Sequence, residues 1–274
     1  MEWLWLLLLG FGTGIFGVLV GAGGGFILAP MLLIFFGMEA EVVAGTSLSL
    51  VAVNSISGSI TYLRMGMVDK RSALLFAAAA IPGTIYGVFA LSSIDASTFR
   101  ILFGGLLLSL AILLAIRSTI SERIPQRTKV RSGKLVRNRQ FRSKRGRDYE
   151  YQVNEGWTTF FNLPLGFISS FFGTGGGFLR TPILVYVFGF PVQVAVATSI
   201  FTLSFYTTVG AVTHASLGHV DWYPTFVWAG IGLVAGGQIG AQLAGKFKGI
   251  WIIRLLLIIV LILGIRLIIE GIQG

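Results

Sequence analysis

Apolar residues fill eight stretches of the chain, and polar residues cluster between them. Four stretches, at roughly 3–37, 41–63, 72–92 and 98–116, precede a basic segment. Four more, at roughly 157–190, 192–215, 223–244 and 250–269, follow it. A membrane-spanning helix needs about 20 mostly apolar residues, and each stretch provides this length. The pattern predicts an all-α polytopic membrane protein.

The first stretch of each set is too long for one simple spanning helix. A glycine cluster interrupts each of them, at Gly21–Gly25 and at Gly173–Gly177. A proline follows each cluster five residues later, at Pro30 and Pro182. Glycines lower helix stability by about 1 kcal/mol each relative to alanine. We therefore predict that the first helix of each set is broken at its glycines.

The chain also repeats itself. When it is shifted by 152 residues, 17 of the 49 positions from 21 to 69 are identical without a gap. The identities include glycines, a proline, a Thr-Ser pair and an aspartate in the same order. A shared hydrophobic composition does not explain such matches. We predict two homologous four-segment halves, residues 1–117 and 157–274, joined by a linker at 118–156. Four spans per half would make the repeats parallel, and five would make them inverted.

Composition and charge support a membrane protein with one basic loop. Hydrophobic residues make up 54% of the chain and charged residues 12%, about half the usual share of a soluble domain. Of the 21 Lys and Arg residues, 12 lie between Arg117 and Arg147. We expect this linker to be cytoplasmic, partly disordered and in contact with anionic lipid headgroups, with no nucleic-acid partner.

The same charge rule predicts the orientation in an inner membrane. Arg64, Lys70 and Arg71 follow the second stretch, whereas Glu39 and Glu41 precede it. These positions predict that the N-terminus, the linker and the C-terminus are all cytoplasmic. Lys246 and Lys248 do not fit this orientation.

The glycine breaks are the first candidate binding site. A broken helix leaves backbone N–H groups free at the start of the next helix, and these groups and the helix dipole favour an anion. The candidate residues are Gly23, Gly24, Gly25, Gly175, Gly176 and Gly177. Close packing of small residues between helices is the alternative interpretation.

Arg180 is the second candidate. It follows the second glycine cluster, and its counterpart in the first half is Leu28. An ionisable residue within a membrane segment is costly and indicates a functional site. Snorkelling of the side chain to the interface is the alternative.

Hydroxyl side chains form the third group. The Thr46-Ser47 and Thr198-Ser199 pairs follow their glycine clusters at the same spacing, and neutral hydroxyls can bind an oxyanion and release it. Other hydroxyls of these segments fit interhelical hydrogen bonds better. His214 is a candidate proton relay, although a lone histidine near a helix end is more often a hydrogen-bonding residue. Gln238 and Asn54 are weaker candidates.

Several enzyme classes lack their sequence motifs. The chain has no cysteine, two histidines, and no HExxH, GxSxG or GxxxxGK[ST] motif. We predict no catalytic residue, no metal site, no cofactor and no enzymatic activity.

The duplicated motifs carry a family resemblance. Gly23-Gly24-Gly25-Phe26…Pro30 and Gly175-Gly176-Gly177-Phe178…Pro182, each followed by a Thr-Ser pair, resemble the sulfite exporter TauE/SafE family of membrane permeases. The resemblance covers roughly 8–115 and 157–270. It implies transport of a small sulfur-containing oxyanion such as sulfite, an organosulfonate or sulfoacetate. The residues by themselves support only a small anion.

These observations predict a secondary transporter with its site between the two broken segments. We expect export by alternating access, driven by the membrane potential or an ion gradient, since no nucleotide site is visible. Two alternatives stay open: uptake of another organic anion, and a non-transporting membrane assembly factor. Homo-oligomerisation is also open.

Overall fold

The computed structural model describes residues 2–120, 136–142, 146, 148–243 and 249–273. Its helices are α1 Glu2–Val20, α2 Gly25–Phe35, α3 Ala40–Met65, α4 Lys70–Leu91, α5 Ala96–Ile120, α6 Glu155–Phe160, α7 Asn162–Phe171, α8 Gly177–Tyr186, α9 Val192–Ser216, α10 Val227–Leu243 and α11 Gly249–Gln273. A π-helical turn, Trp222–Phe226, precedes α10. Two strands, β1 Val136–Arg142 and β2 Asp148–Asn154, form an antiparallel hairpin.

The membrane part is helical, as predicted. Within the described residues, six helices are long and apolar enough to cross a membrane: Glu2–Val20, Ala40–Met65, Lys70–Leu91, Ala96–Leu113, Val192–Ser216 and Trp222–Leu243. Both long first stretches are broken where the glycines lie, the first between α1 and α2 and the second between α7 and α8. The second stretch has a further break at Phe161, between α6 and α7.

The hairpin in the linker was not predicted. Side chains of β2 alternate between exposed Asp148, Glu150 and Gln152 and less exposed Tyr149, Tyr151 and Val153. This two-residue period is the ordinary signal of a half-buried strand, and the strong basic charge of the linker obscured it. Residues 121–135, 143–145 and 147, which hold eight of the 12 Lys and Arg residues between Arg117 and Arg147, lie outside the described residues, so the contact of the linker with anionic lipid stays a prediction.

Each break turns the chain back on itself. A Cβ placed on Gly24 would lie 2.7 Å from the carbonyl oxygen of Thr13, so α2 starts beside the middle of α1. A Cβ placed on Gly176 would lie 3.0 Å from the carbonyl oxygen of Leu165, which puts the start of α8 beside α7 in the same way. The two helices at each break therefore form a V rather than a second full crossing.

Glycines also set the directions of the longer helices. Gly10 of α1 abuts Ala229 of α10 and Gly14 abuts Leu233, so these two helices run parallel. In contrast, α11 runs antiparallel to α5, because Gly271 abuts Ser97 and Gly264 abuts Gly104. Backbones approach closely at such small residues, as is common between membrane helices.

These directions define two ends of the bundle. We call the end at which α1 begins and α11 finishes the terminal end, and the end at which α5 leads into the linker the linker end. Because the last turn of α11 lies beside the first turn of α5, the C-terminus and the linker occupy opposite ends. The expectation that the linker and both termini share one side counted each V as one crossing, whereas the described helices place the linker and the C-terminus at opposite ends of the bundle. The membrane side of each end stays a prediction.

Candidate functional site

Both half-helices at the breaks begin with uncapped amides. Gly24 precedes α2 with φ 99°, Gly176 precedes α8 with φ 67°, and neither offers a side chain to cap the helix. A positive φ of this kind is readily adopted only by glycine. The first N–H groups of a helix have no acceptor within the helix. Both breaks thus present donors and the positive end of a helix dipole.

The two breaks contact each other at the centre of the protein. A Cβ on Gly25 would lie 2.7 Å from the carbonyl oxygen of Gly173, and Gly177 abuts the carbonyl group of Gly21. The rings of Phe26 and Phe178 stack 5.5 Å apart beside this contact. All the glycines of both predicted clusters are buried. The structure therefore brings the predicted glycine residues together.

Side chains of α3 and α9 hold the breaks in place. Asn54 donates from Nδ2 to the carbonyl oxygen of Gly23 at 2.9 Å, and Tyr206 donates from its hydroxyl to that of Gly175. Ser199 donates to the carbonyl oxygen of Gly21 at 2.9 Å. Ser47 donates to the carbonyl oxygen of Gly25 at a longer distance, 3.5 Å. Both serines of the predicted Thr-Ser pairs thus contact a break.

Arg180 is the charged group at the second break. Its side chain is 1% exposed, and its Nε donates to Oδ1 of Asn162 at 2.7 Å. The guanidinium carbon lies 4.7 Å from the ring centroid of Tyr206, within cation–π range. Both terminal nitrogens, Nη1 and Nη2, are buried without a hydrogen-bond partner in the described structure. Since Arg180 is buried, it does not snorkel to the interface.

Further unpaired polar atoms belong to this second break. The hydroxyls of Ser169 and Thr174 are buried without a partner among the described residues. A Cβ on Gly176 would lie 3.4 Å from Cβ of Ser169 and 3.5 Å from the hydroxyl oxygen of Tyr206. An unpaired buried charge is destabilising by several kcal/mol, and unpaired hydroxyls add to this cost. An oxyanion is the chemical group that would satisfy such a set of donors.

The two predicted threonines face away from this cluster. The hydroxyl oxygen of Thr46 accepts the N–H of Asp221 at 2.8 Å, and that of Thr198 accepts the N–H of Asp69 at 3.1 Å. Each threonine therefore ties a helix start to a loop, Thr46 at the terminal end and Thr198 at the linker end. Their role in binding stays a prediction.

The weaker candidates have other partners. Nε2 of His214 lies 3.1 Å from the carbonyl oxygen of Ser170, and its Nδ1 lies 3.3 Å from Nδ1 of His219. Gln238 donates to the Ser57 carbonyl oxygen at 3.0 Å and accepts from Thr61 at 2.9 Å. These contacts are hydrogen bonds between helices or between a helix and a loop.

Three residues of the site were not predicted from the sequence: Asn162, Ser169 and Tyr206. Tyr206 could have been found, because it is the counterpart of Asn54 in the shifted repeat. Asn162 and Ser169 carry no such signal. They reach the site because α7 and α8 form a V.

Comparisons with known proteins identify the family of the chain. The profile of the sulfite exporter TauE/SafE family matches residues 6–267. The probable membrane transporter protein YunE of Bacillus subtilis (strain 168) is 30% identical over 279 residues, which cover 99% of each chain. A probable membrane transporter protein of Xylella fastidiosa (strain 9a5c) is 26% identical over 88% of this chain and 83% of its own.

A plant protein matches a shorter region. The sulfite exporter TauE/SafE family protein 1 of Arabidopsis thaliana is 32% identical over 88 residues, which are 32% of this chain and 19% of its own. No solved structure gives a significant match. With the family profile spanning nearly the whole chain and six helices suited to a membrane, the protein belongs to the sulfite exporter TauE/SafE family and is a membrane transporter, not an enzyme.

Proposed function

We propose that the protein transports a small sulfur-containing oxyanion of the sulfite, organosulfonate or sulfoacetate type, and that Arg180 binds it. The observation that carries this proposal is the buried guanidinium group with both Nη atoms unpaired beside an uncapped helix start. Bidentate hydrogen bonds from arginine match the geometry of an oxyanion. The family and the name of the Arabidopsis relative support sulfite as the first compound to test.

The proposed mechanism is alternating access between two inverted repeats. Each half would contribute one V and three crossing helices, and an odd number of crossings reverses the second half relative to the first. Contacts recur across the 152-residue shift: Asp69 with Thr198 and Asp221 with Thr46, and Gly25 with Gly173 and Gly177 with Gly21. Repeats of this kind support transport because one half can rock against the other around a central site.

We further propose that the linker end faces the cytoplasm and the termini face outward. Arg64, Lys70 and Arg71 lie at the linker end, and the basic linker leaves from it. Lys246 and Lys248, which follow α10 in the sequence, lie outside the described residues. Arg64, Lys70 and Arg71 then follow the positive-inside rule. Export would be favoured by the potential, at about 2.3 kcal/mol per charge per 100 mV.

A thermal-shift screen of the purified protein tests the site. Sulfite, sulfate, thiosulfate, sulfoacetate and taurine would be added to the wild type and to the Arg180→Ala and Arg180→Lys variants. We expect at least one anion to raise the melting temperature of the wild type, no rise in Arg180→Ala, and a smaller rise in Arg180→Lys, which keeps the charge without the bidentate geometry. Taurine is zwitterionic and carries no net charge, so comparing it with the anions tests whether binding requires a net negative charge.

The variant also reports on stability. Because Nη1 and Nη2 of this buried cation lack hydrogen-bond partners and no carboxylate neutralises it in the described structure, we expect Arg180→Ala to be as stable as the wild type without anion, or more stable. Full binding and flux in Arg180→Ala would show that the anion binds elsewhere, with Ser47 and Ser199 as the next candidates.

A further inference from the structure

The linker hairpin covers one end of the transport core. Tyr151 and Val153 of β2 belong to one buried hydrophobic cluster with Phe76 of α4, Phe190 before α9, and Ala195 of α9. The ring centroids of Tyr151 and Phe190 lie 4.7 Å apart. A two-stranded hairpin alone is marginally stable in water, so this contact with the helices is what orders it. The hairpin therefore bridges α4 of the first half and α9 of the second.

An ion-pair network fastens the hairpin to the loop between α3 and α4. Nε of Arg139 lies 3.4 Å from Oδ2 of Asp69, and the same side chain pairs with Glu155. The hydroxyl of Tyr151 donates to Oδ2 of Asp69 at 2.7 Å. Burial and the nearby Asp69 carboxylate raise the pKa of Tyr151 above its usual range, so the hydroxyl keeps its proton and remains a donor.

Asp69 also connects the hairpin to α9. Its backbone N–H donates to Oγ1 of Thr198, and its carboxylate caps α4 by accepting from the N–H of Ser72 at 3.1 Å. The hairpin, the start of α4 and the start of α9 thus meet at one residue. Any motion that separates α4 from α9 at the linker end must first break these bonds.

The terminal end differs. There the N–H of Asp221 donates to Thr46 in the same way, but no strand of the described chain covers that end. Since the chain has a single linker, only one end of the bundle receives a hairpin.

We propose that the hairpin formed by β1 and β2 is a latch that holds the linker end of the transporter closed, with Arg139 and Tyr151 binding Asp69 as its fastening. Release of the latch lets the linker end open, so the hairpin biases the transporter toward the state open at the terminal end. This inference rests on transport by alternating access, but not on the identity of the anion. A latch of this kind gives the linker a regulatory role, which contact with lipid headgroups alone would not provide.

Cysteine labelling tests the latch without any substrate, because the chain has no native cysteine. One reporter is Ala195→Cys, buried in the cluster that the hairpin joins, and the other is Val43→Cys, its buried counterpart at the terminal end. Each is combined with Arg139→Gln, with Tyr151→Phe, or with Arg137→Gln, which removes an exposed charge from the same strand. The protein is placed in nanodiscs, where both faces are open to a membrane-impermeant maleimide.

The expected result is reciprocal. Arg139→Gln and Tyr151→Phe should speed labelling at position 195, by about tenfold for Arg139→Gln, which loses both the ion pair with Asp69 and the charged hydrogen bond to Glu155. Labelling at position 43 should slow, and Arg137→Gln should change neither rate. Unchanged rates would overturn the latch. A rise at both positions would also overturn it, because the hairpin would then only stabilise the fold. Neither result depends on whether Arg180 binds an anion.

Discussion

At the first helix break Asn54 donates to the carbonyl group of Gly23, and Leu28 lies in the turn that follows. At the second break the corresponding residues are Tyr206, which donates to Gly175, and Arg180. The backbone contacts are the same, and the side chains around them differ in charge and in unpaired donors. The comparison separates two requirements of the site: glycines form the break, and the second half alone supplies the cation.

The largest expected effect comes from filling a break. Gly24→Ala and Gly176→Ala would force a side chain into a positive-φ position, at a cost of about 1–3 kcal/mol, and against a backbone carbonyl group. We expect each to lower anion flux in proteoliposomes by at least about tenfold, with the larger loss for Gly24, where the carbonyl oxygen is nearer.

Gly37→Ala is the control for this prediction. Gly37 has φ 61°, but no atom lies within 4 Å of its Cβ position. It therefore carries the strain without the crowding, and we expect it to keep most of its flux. An equal loss of flux in Gly37→Ala would show that backbone strain alone, without crowding at a break, explains the loss in Gly176→Ala.

The second prediction separates stability from binding by comparing Leu28→Ala with Arg180→Ala. Leu28 is fully buried, so its truncation should destabilise the protein by about 2–5 kcal/mol through the cavity it leaves. It should keep the melting-temperature rise on addition of sulfite, whereas Arg180→Ala should lose that rise and keep its stability. Thermal melts with and without anion measure both. Loss of the anion response in both variants would place the site across the two breaks.

The third prediction concerns Tyr206. Tyr206→Phe removes the hydrogen bond to Gly175 but keeps the ring against Arg180, so we expect a loss of about 1 kcal/mol in stability and little change in anion affinity. Tyr206→Leu also removes the cation–π contact and should weaken binding further, as isothermal titration would show. Equal affinities of the two variants would mean that the ring does not position Arg180.

The smallest effect is expected at the threonines. Thr46→Val and Thr198→Val each remove the acceptor of one loop N–H, which should lower stability by about 1 kcal/mol and leave anion affinity unchanged. Denaturation midpoints and anion titrations would measure the two quantities. A large loss of anion affinity in either variant would show that the substituted threonine belongs to the binding site.

Much of the membrane architecture could be predicted from the sequence. Helix positions follow from runs of apolar residues, because a backbone in lipid must satisfy its own hydrogen bonds. The breaks follow from glycines, since only glycine adopts the backbone angles at Gly24 and Gly176 without strain. Arg180 was identifiable because a buried charge in an apolar segment is costly and therefore rare.

Only the tertiary structure decided how these parts meet. Whether the chain reverses at Gly24 depends on the packing of α2 beside Thr13. The orientation of Thr198 toward Asp69, the approach of Tyr206 to Arg180 and the docking of Tyr151 on Asp69 all join residues far apart in the chain. Local sequence determines which helices form and where they break, because these are properties of neighbouring residues. The partners of a buried charge are set by the packing of the whole bundle.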